Sequence, residues 1–330
     1  MGLPVTVYKS TDVGSPQVAS GKPSEILNVL QKCLVDGYGS KASLGWLLLD
    51  RDDSLNRIAF KNDVSKGASG NCFIVKSYNG TDANNNSLWL QSAKSFISLD
   101  SLDGLGYMNT MTPPPSTTVW TLIGTEHAFI LLVGKATSKM GGWVQFNESG
   151  FFAGDYTPLV SSDAGRFILF SDRLTALSST TTGKTSQAWP NYFGNLTYSQ
   201  SQVDCLQIYD ADNINNPNSY TIMIDNSISI SSVTEEATTS PTMDVYSPLI
   251  IRLFAKSVHS AGSDRVGSPW KLSEISPVMR GIVPGIINRY FGRNGNDDYP
   301  YPEVTINGQQ HMMLRCGGGG CNSFINLEEW

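Results

Sequence analysis

"TVWTLIGTEHAFILLVGKA", residues 118–136, consists of two apolar segments separated by the polar stretch "GTEH". Both segments are rich in β-branched and aromatic residues, which favour strands. The second, "AFILLV" (Ala128–Val133), has the length of a strand and is far shorter than the roughly 20 apolar residues that span a bilayer. The stretch therefore predicts strands of an antiparallel sheet.

The same pattern recurs along most of the chain, with Gly or Asp at intervals that are typical of turns between short strands. This rhythm predicts a mainly β protein with antiparallel, sandwich- or barrel-like sheets. The segments that carry it are "NCFIVKSYNG", "SLWLQSAKSFISL", "GGWVQFNE", "RFILFSDRL", "VDCLQIYDA", "SYTIMIDNSISISS" and "SPLIIRLFAKSVH".

One short amphipathic helix is predicted near the N-terminus, over residues 24–36. Ile26, Leu30 and Cys33 recur at helical spacing, so we expect Cys33 to be a buried core residue. Ser24 is the predicted N-cap. Gly37 is placed to end the helix in a left-handed conformation.

The stretch "LSSTTTGKTSQ" has no apolar periodicity and indicates a loop or linker. We place it at residues 178–187, between β-rich regions at 1–177 and 188–330 that could still share one core. Gly183-Lys184-Thr185 matches the end of a phosphate-binding loop. Ser178 stands where that motif needs its first glycine, so we interpret the segment as a surface loop.

The composition excludes some classes of partner. The net charge is −6 and the sequence pI is about 5.1, without a cluster of Lys and Arg, which argues against nucleic-acid binding. Charged residues make up 16 % of the chain, below the roughly 25 % of average domains. A weakly charged, hydrogen-bonding surface suits a subunit that buries much of it against neighbours.

The N-terminal residues "MGLPVTVYKS" lack the basic and apolar regions of a signal peptide, so we expect assembly in a cytoplasm and no membrane partner. The chain has an odd number of cysteines at scattered positions, which argues against a disulfide framework. They are Cys33, Cys72, Cys205, Cys316 and Cys321.

The segment "HMMLRCGGGGCNSFINLEEW", residues 311–330, has several readings. His311, Cys316 and Cys321 are weak candidates for zinc ligands, although a structural site needs a fourth. The simpler interpretation is a β-hairpin whose glycines supply the turn. Its two cysteines would then lie close enough for a disulfide, although in a cytoplasm the two thiols would more often stay reduced.

No arrangement of residues predicts an enzyme or a cofactor site. The three histidines lie apart in the sequence, and no G-x-S-x-G motif occurs. Two acidic pairs, Asp210/Asp212 and Asp297-Asp298, could hold calcium on loops, but such pairs are usually only solvated.

Four stretches follow patterns of a known family. Residues 7–46 resemble the pattern "ST..GAP.LSG..G.LI..LDACLVNGYG.K...GW", and residues 143–169 resemble "FFGD..S....DAYR..I". "VMRGIVPGIINRYFG" (residues 278–292) matches "VRGRLPGLY.PLH", and residues 314–330 match a strand, glycine turn and strand that end on Trp. Together they resemble tailed-bacteriophage virion structural proteins; residues 50–108 and 185–243 diverge from the family.

The resemblance implies a β-rich virion subunit of the tail, baseplate, neck or collar. Its partners would be other virion proteins, and a homo-oligomeric ring of three or six copies is expected. Arg280, Gly281, Pro284 and Gly285 are expected to frame a constrained turn, and Trp330 to anchor the C-terminal segment. The alternative is a capsid decoration protein or a carbohydrate-binding adhesion module, with aromatic residues of 187–195 and 296–303 stacking on sugars.

Overall fold

The mainly β, antiparallel prediction is confirmed by the structure, a computed structural model. No described helix is long and apolar enough to cross a bilayer. The structure describes residues 2–106, 108–113, 118–134, 148–171, 173–175, 206–211, 218–224, 246–253, 279–289, 302–315 and 322–330.

The described residues form twenty-one strands, numbered here in chain order. The first ten are β1 Thr6–Lys9, β2 Leu47–Asp52, β3 Arg57–Lys61, β4 Cys72–Ser77, β5 Leu88–Ala93, β6 Ser95–Ser98, β7 Ser101–Asp103, β8 Met108–Met111, β9 Val119–Gly124 and β10 Ala128–Gly134. The others are β11 Glu148–Asp155, β12 Thr157–Pro158, β13 Phe167–Ser171, β14 Arg173–Thr175, β15 Leu206–Ile208, β16 Asn218–Ile224, β17 Tyr246–Leu253, β18 Met279–Arg289, β19 Glu303–Ile306, β20 Gln309–Arg315 and β21 Asn322–Asn326.

The predicted helix is present as α1, Pro23–Gln31, which continues into a π-helical turn, Lys32–Asp36. Cys33 is fully buried, as its place on the apolar face predicted. Gly37 follows with a φ of 78°, and its N–H donates to the carbonyl of Lys32 at 2.7 Å. The position needs glycine because a Cβ there would lie 2.6 Å from the Lys41 carbonyl oxygen.

The prediction of Ser24 as the N-cap is wrong. The cap residue is Lys22, and the Glu25 carboxylate accepts hydrogen bonds from the backbone N–H groups of Lys22 (3.0 Å) and Ser20 (3.1 Å). A carboxylate in the first turn reaches back to these donors and also complements the helix dipole. Ser24 is then free to bind Asp82, with its N–H at 2.8 Å and its hydroxyl at 2.7 Å.

Three sheets and one small hairpin contain all the described strands. A five-stranded sheet has the order β1-β9-β10-β11-β13, and a six-stranded sheet the order β14-β8-β5-β4-β3-β2. The C-terminal strands form an eight-stranded sheet, β15-β16-β17-β18-β21-β20-β19, in which β12 also pairs with β18. The hairpin β6–β7 packs its apolar side chains over the outer face of the six-stranded sheet.

The five-stranded sheet lies between the other two, so the fold has three layers. On β10, Phe129, Leu131 and Val133 join the α1 helix and the six-stranded sheet in one core, the helix-side core. Ala128, Ile130 and Leu132 point the other way, toward the eight-stranded sheet, into the C-terminal-side core. "AFILLV" is apolar at every position because both of its faces are buried, whereas a strand with one wet face would alternate.

Residues from both sides of the predicted linker meet in the C-terminal-side core. Phe152 and Ile168 come from the N-terminal region, whereas Ile251, Val283 and Ile325 come from the C-terminal region. Segment 178–187 itself lies outside the described residues. In the part that the structure describes, the two β-rich regions therefore share one core.

Candidate functional site

The interpretation of the C-terminal segment as a hairpin is confirmed. β20 and β21 pair antiparallel, with His311 opposite Asn326 and Arg315 opposite Asn322. His311 is 4 % exposed, and its Nδ1 lies 3.0 Å from the carbonyl oxygen of Gln309. Cys316 and Cys321 lie outside the described residues. Within the described residues, no group of three or more His, Cys, Asp or Glu is placed to hold a metal.

Only some of the other candidate residues from the sequence lie in the described part of the chain. Asp210 is buried, at 6 % exposure, whereas Asp212 and Asp297-Asp298 lie outside the described residues. Of the two aromatic stretches suggested for sugars, residues 187–195 also lie outside. Of 296–303, only Pro302 and Glu303 are described, and Glu303 forms an ion pair with Lys9 at 3.1 Å.

A buried ion pair joins the eight-stranded sheet to the loop after β12. The Arg280 guanidinium donates from Nε to Oδ2 of Asp163 at 2.8 Å and from Nη2 to Oδ1 at 2.7 Å. The two side chains are 0 % and 3 % exposed. The hydroxyl of Tyr156 donates to the same carboxylate at 2.7 Å, and so does the N–H of Gly165 at 3.1 Å. This two-pronged geometry fixes the orientation of both groups.

The predicted constrained turn at Arg280–Gly285 is wrong, because these residues lie within strand β18. The strand bulges there: Pro248 of β17 pairs with Ile287, whereas Ile250 already pairs with Ile282. A bulge lets the backbone depart from the sheet without a reversal of the chain.

The glycines of this segment do meet other elements closely. A Cβ on Gly281 would lie 2.4 Å from the carbonyl oxygen of Thr157. Gly285 has a φ of +69°, and a Cβ on it would lie 2.1 Å from Nε1 of Trp330. The indole therefore occupies the space that a side chain at Gly285 would need.

Trp330 is held in place by backbone and ring contacts. Its N–H donates to the carbonyl of Leu3 at 3.0 Å, and its carbonyl accepts from the N–H of Leu3 at 2.7 Å. The indole Nε1 donates to the carbonyl of Asn326 at 2.8 Å, and the ring packs on the C-terminal-side core. Residues 3 and 330 thus form one small antiparallel pairing.

A second buried carboxylate, Asp155, ties the six-stranded sheet to the central one. It accepts from Asn62 Nδ2 at 2.8 Å, from the N–H and hydroxyl of Ser69 at 2.7 and 2.6 Å, and from Arg166 Nε at 3.0 Å. Like Asp163, it has its lone pairs occupied by donors within the chain. A carboxylate held in this way anchors segments and is poorly placed to act as a general base.

In the N-terminal stretch, Asp12 organises the loop beside the helix. It accepts hydrogen bonds from the Lys9 N–H and the Tyr38 hydroxyl, both at 2.8 Å, and pairs with Lys41 at 3.2 Å. Burial alone would raise the pKa of Asp12, but these bonds outweigh it and lower the pKa. Burial also raises the pKa of the nearby Cys33 thiol well above its ordinary value, which leaves it protonated and a poor nucleophile.

Exposed apolar side chains lie along one sheet edge. β2 is the end strand of the described six-stranded sheet, and its Leu47 and Leu48 are 40 % and 37 % exposed. Leu55, in the turn between β2 and β3, is 47 % exposed. No described strand pairs with the outer side of β2, so this edge, Leu47–Leu55, combines exposed apolar side chains with a strand edge that has no partner strand in the described part of the chain.

Sequence reasoning had no access to the Arg280–Asp163 pair, since 117 positions separate its members. No local periodicity or spacing marks such a pair.

Comparisons with known proteins supply no relative: no family model matches this chain, and no curated protein matches it.

Proposed function

We propose that this chain is a structural subunit of a tailed-bacteriophage virion, in the tail, baseplate or neck region. In this proposal it acts through contacts with other virion proteins and with copies of itself in a ring of three or six, without a catalytic centre or cofactor. The observation that carries the proposal is the convergence of the family-like stretches in space. Asp163 belongs to the second stretch, Arg280 and Gly285 to the third, and Trp330 to the fourth.

This convergence gives the resemblance a physical meaning. The second and third stretches are joined by the buried ion pair, and the third and fourth by the indole that lies against Gly285. Removing one partner of a buried pair is strongly destabilising, as is adding a side chain where a ring already packs. Residues of this kind are the ones that proteins of one fold would need in common.

The Leu47–Leu55 edge is the surface that we assign to the contact with the next copy. Its apolar side chains and free strand edge would otherwise be an aggregation hazard in an isolated chain. A ring uses heterologous contacts, in which this edge meets a different surface of the neighbour. The low charge of the chain reduces the desolvation cost of covering that surface.

The direct test is mass spectrometry of washed, purified virions. We expect peptides of this chain at a fixed copy number that is a multiple of three or six. Absence of the chain from washed particles would reject the proposal, and turnover of a substrate by the purified chain, abolished by one substitution, would replace it with an enzymatic function.

The contact surface has its own test, with a matched control. Leu48→Asp places a charge on the edge and should shift the purified protein from ring to single chain in light scattering. Val13→Asp, at a residue that is 92 % exposed and not part of this strand, should leave the mass unchanged. Equal behaviour of the two variants would remove the edge from the proposal.

A further inference from the structure

A groove of about 400 Å³ opens between the bulge of β18, the hairpin β19–β20 and the C-terminal residues. This volume is within the usual range of small-ligand sites. Its walls are apolar, and polar side chains from β20 and the C-terminal residues also line it. The lining includes Ile282, Pro284, Gln309, His311, Glu329 and Trp330.

Three side-chain donors at the groove are already used within the chain. Gln309 Nε2 donates to Oε1 of Glu329 at 2.6 Å. Asn326 Nδ2 donates to Oε1 of Gln309 at 2.8 Å, and the Trp330 indole donates to the Asn326 carbonyl. These bonds hold the polar side chains rigidly, in the way that a preformed site requires.

The acceptors, by contrast, have capacity left. The two oxygens of Glu329 accept one bond each, from Gln309 and from the N–H of Gly2 at 3.2 Å, whereas a carboxylate has about four acceptor positions. His311 is more than nine-tenths buried and lines the groove. Because a carbonyl oxygen can only accept, its Nδ1 carries the proton that faces Gln309. In the neutral ring, Nε2 is then an acceptor, and it has no partner in the described part of the chain.

Among the described residues that line the groove, the Glu329 carboxylate has no cationic side chain as a partner. Neither a lysine nor an arginine is among these described residues. A carboxylate flanked by apolar walls and by a second acceptor matches a ligand with a cationic, donor-rich head on an apolar stem. Lys and Arg side chains have this form, and an aromatic wall such as Trp330 adds attraction for a cation.

We propose that this groove binds a basic side chain, Lys or Arg, of a partner protein chain. Glu329 is the counter-ion, His311 is the second acceptor, and Ile282, Pro284 and Trp330 pack along the aliphatic stem. The guanidinium of Arg suits the site best, because its planar fork can engage the carboxylate and a second acceptor together. That the carrier is another virion protein rests on the proposed function, whereas the preference for a cation does not.

A neutral sugar fits the same groove less well. Sugar hydroxyl groups carry no charge, so they gain less from the Glu329 carboxylate than a cation does. One N–H of Gln309, one N–H of Asn326 and the Trp330 indole N–H are also used in internal bonds. Sugar binding is therefore kept as a contrary outcome of the test.

The probe is N-acetyl-arginine amide, titrated into the purified full chain and followed by NMR or calorimetry. Its control is N-acetyl-citrulline amide, which has nearly the same shape but no charge. We expect the arginine probe to bind at least 10-fold more tightly, because hydrogen bonds to charged groups are the stronger ones. This comparison needs no variant, so it stands even if a substitution impairs folding.

The matched variants are Glu329→Gln and Glu328→Gln. Both remove one carboxylate, but Glu328 is exposed and does not line the groove. Glu329→Gln should weaken binding of the arginine probe 10-fold or more, and Glu328→Gln should leave it unchanged.

Any one of four results would overturn the inference. The two variants could have equal effects, or the two probes could bind equally. Neither probe could bind at millimolar concentration, or neutral sugars could bind more tightly than the arginine probe. Any of these results leaves the virion test unaffected, since that test depends only on the presence of the chain in particles.

Discussion

The two faces of the central sheet are covered in different ways. The helix-side core joins described residues between Tyr8 and Leu169, and nine of its 27 buried residues are aromatic. Phe73 alone contacts five other rings, at centroid distances between 5.5 and 6.5 Å. The C-terminal-side core joins segments from Ile123 to Ile325, is mostly aliphatic, and has the Arg280–Asp163 pair at its margin.

Both cores join segments that lie far apart in the chain, but they use different contacts. On the helix side, β1 pairs with β9 and the Trp46 ring contacts Phe167, so rings with defined relative orientations hold distant segments together. In the C-terminal-side core, packing of mostly aliphatic side chains is joined by directional contacts. We interpret the buried ion pair and the indole against Gly285 as the contacts that set the position of the eight-stranded sheet.

Phe73→Ala should have the largest effect, since it removes the centre of the ring cluster. We expect a loss of about 3–5 kcal/mol in the free energy of unfolding, measured in denaturant. Hydrogen exchange should rise in β4 and also in β10, because both strands contribute to the helix-side core. The conservative Phe73→Leu should lose much less, and a loss below about 1 kcal/mol for Phe73→Ala would show that this core is not tightly packed.

Arg280→Met should come next, with a loss of about 3–4 kcal/mol, because it leaves the Asp163 carboxylate buried without its cation. In contrast to Phe73→Ala, hydrogen exchange should rise in β17 and β18 while β4 stays protected. The double variant Arg280→Met with Asp163→Leu should recover most of the loss. If the double variant is as unstable as the sum of the single ones, the pair does not act as one unit.

Gly285→Ala should cost about 2 kcal/mol, part from the positive φ and part from displacement of the Trp330 ring. Gly308→Ala is the control, because Gly308 has a φ of +84° but nothing within 4 Å of its added Cβ. The difference between their melting temperatures isolates the indole contact. Identical melting temperatures would mean that Trp330 moves aside without cost.

Asp12→Asn should have the smallest effect, below about 1 kcal/mol at neutral pH, since the carboxylate is partly exposed to solvent. The folded state lowers the pKa of Asp12, so the ionised group stabilises the protein above its unfolded pKa of about 3.9. That contribution disappears as the pH falls through the folded pKa.

Unfolding at a series of pH values checks this, with Asp53→Asn, at an exposed aspartate, as the charge control. The gap between wild type and Asp12→Asn should close in acid. A gap that widens in acid would contradict the sign of the shift.

Several features followed from local patterns. The helix over residues 23–36, its end at Gly37, the buried Cys33 and the hairpin of β20 and β21 depend on spacing within a few residues, where physical chemistry leaves few choices. The misplaced N-cap shows the limit of this reasoning. The helix begins one residue earlier than predicted, at Pro23, so that Lys22 is the cap, Glu25 bonds back to its N–H, and Ser24 lies inside the first turn and binds Asp82.

The candidate site was much less predictable. Arg280 and Gly285 stood out in the sequence as a turn, whereas the chain runs straight through them as a bulged strand. Glycine and proline signal a departure from regular backbone, but a turn and a bulge need the same residues. The groove could not be foreseen at all, because its polar groups come from β20, β21 and the C-terminal residues, whose alignment depends on pairing.

By itself the sequence determined that this is a β protein with one short helix, because strand-favouring residues, the Gly and Asp turns between them and one run of helical spacing act over a few positions. Only the tertiary structure decided that both faces of "AFILLV" are buried, because sheets cover this strand from two sides. It also decided which charged residues meet in the interior. Burial and pairing depend on segments a hundred or more residues away, and no short stretch carries that information.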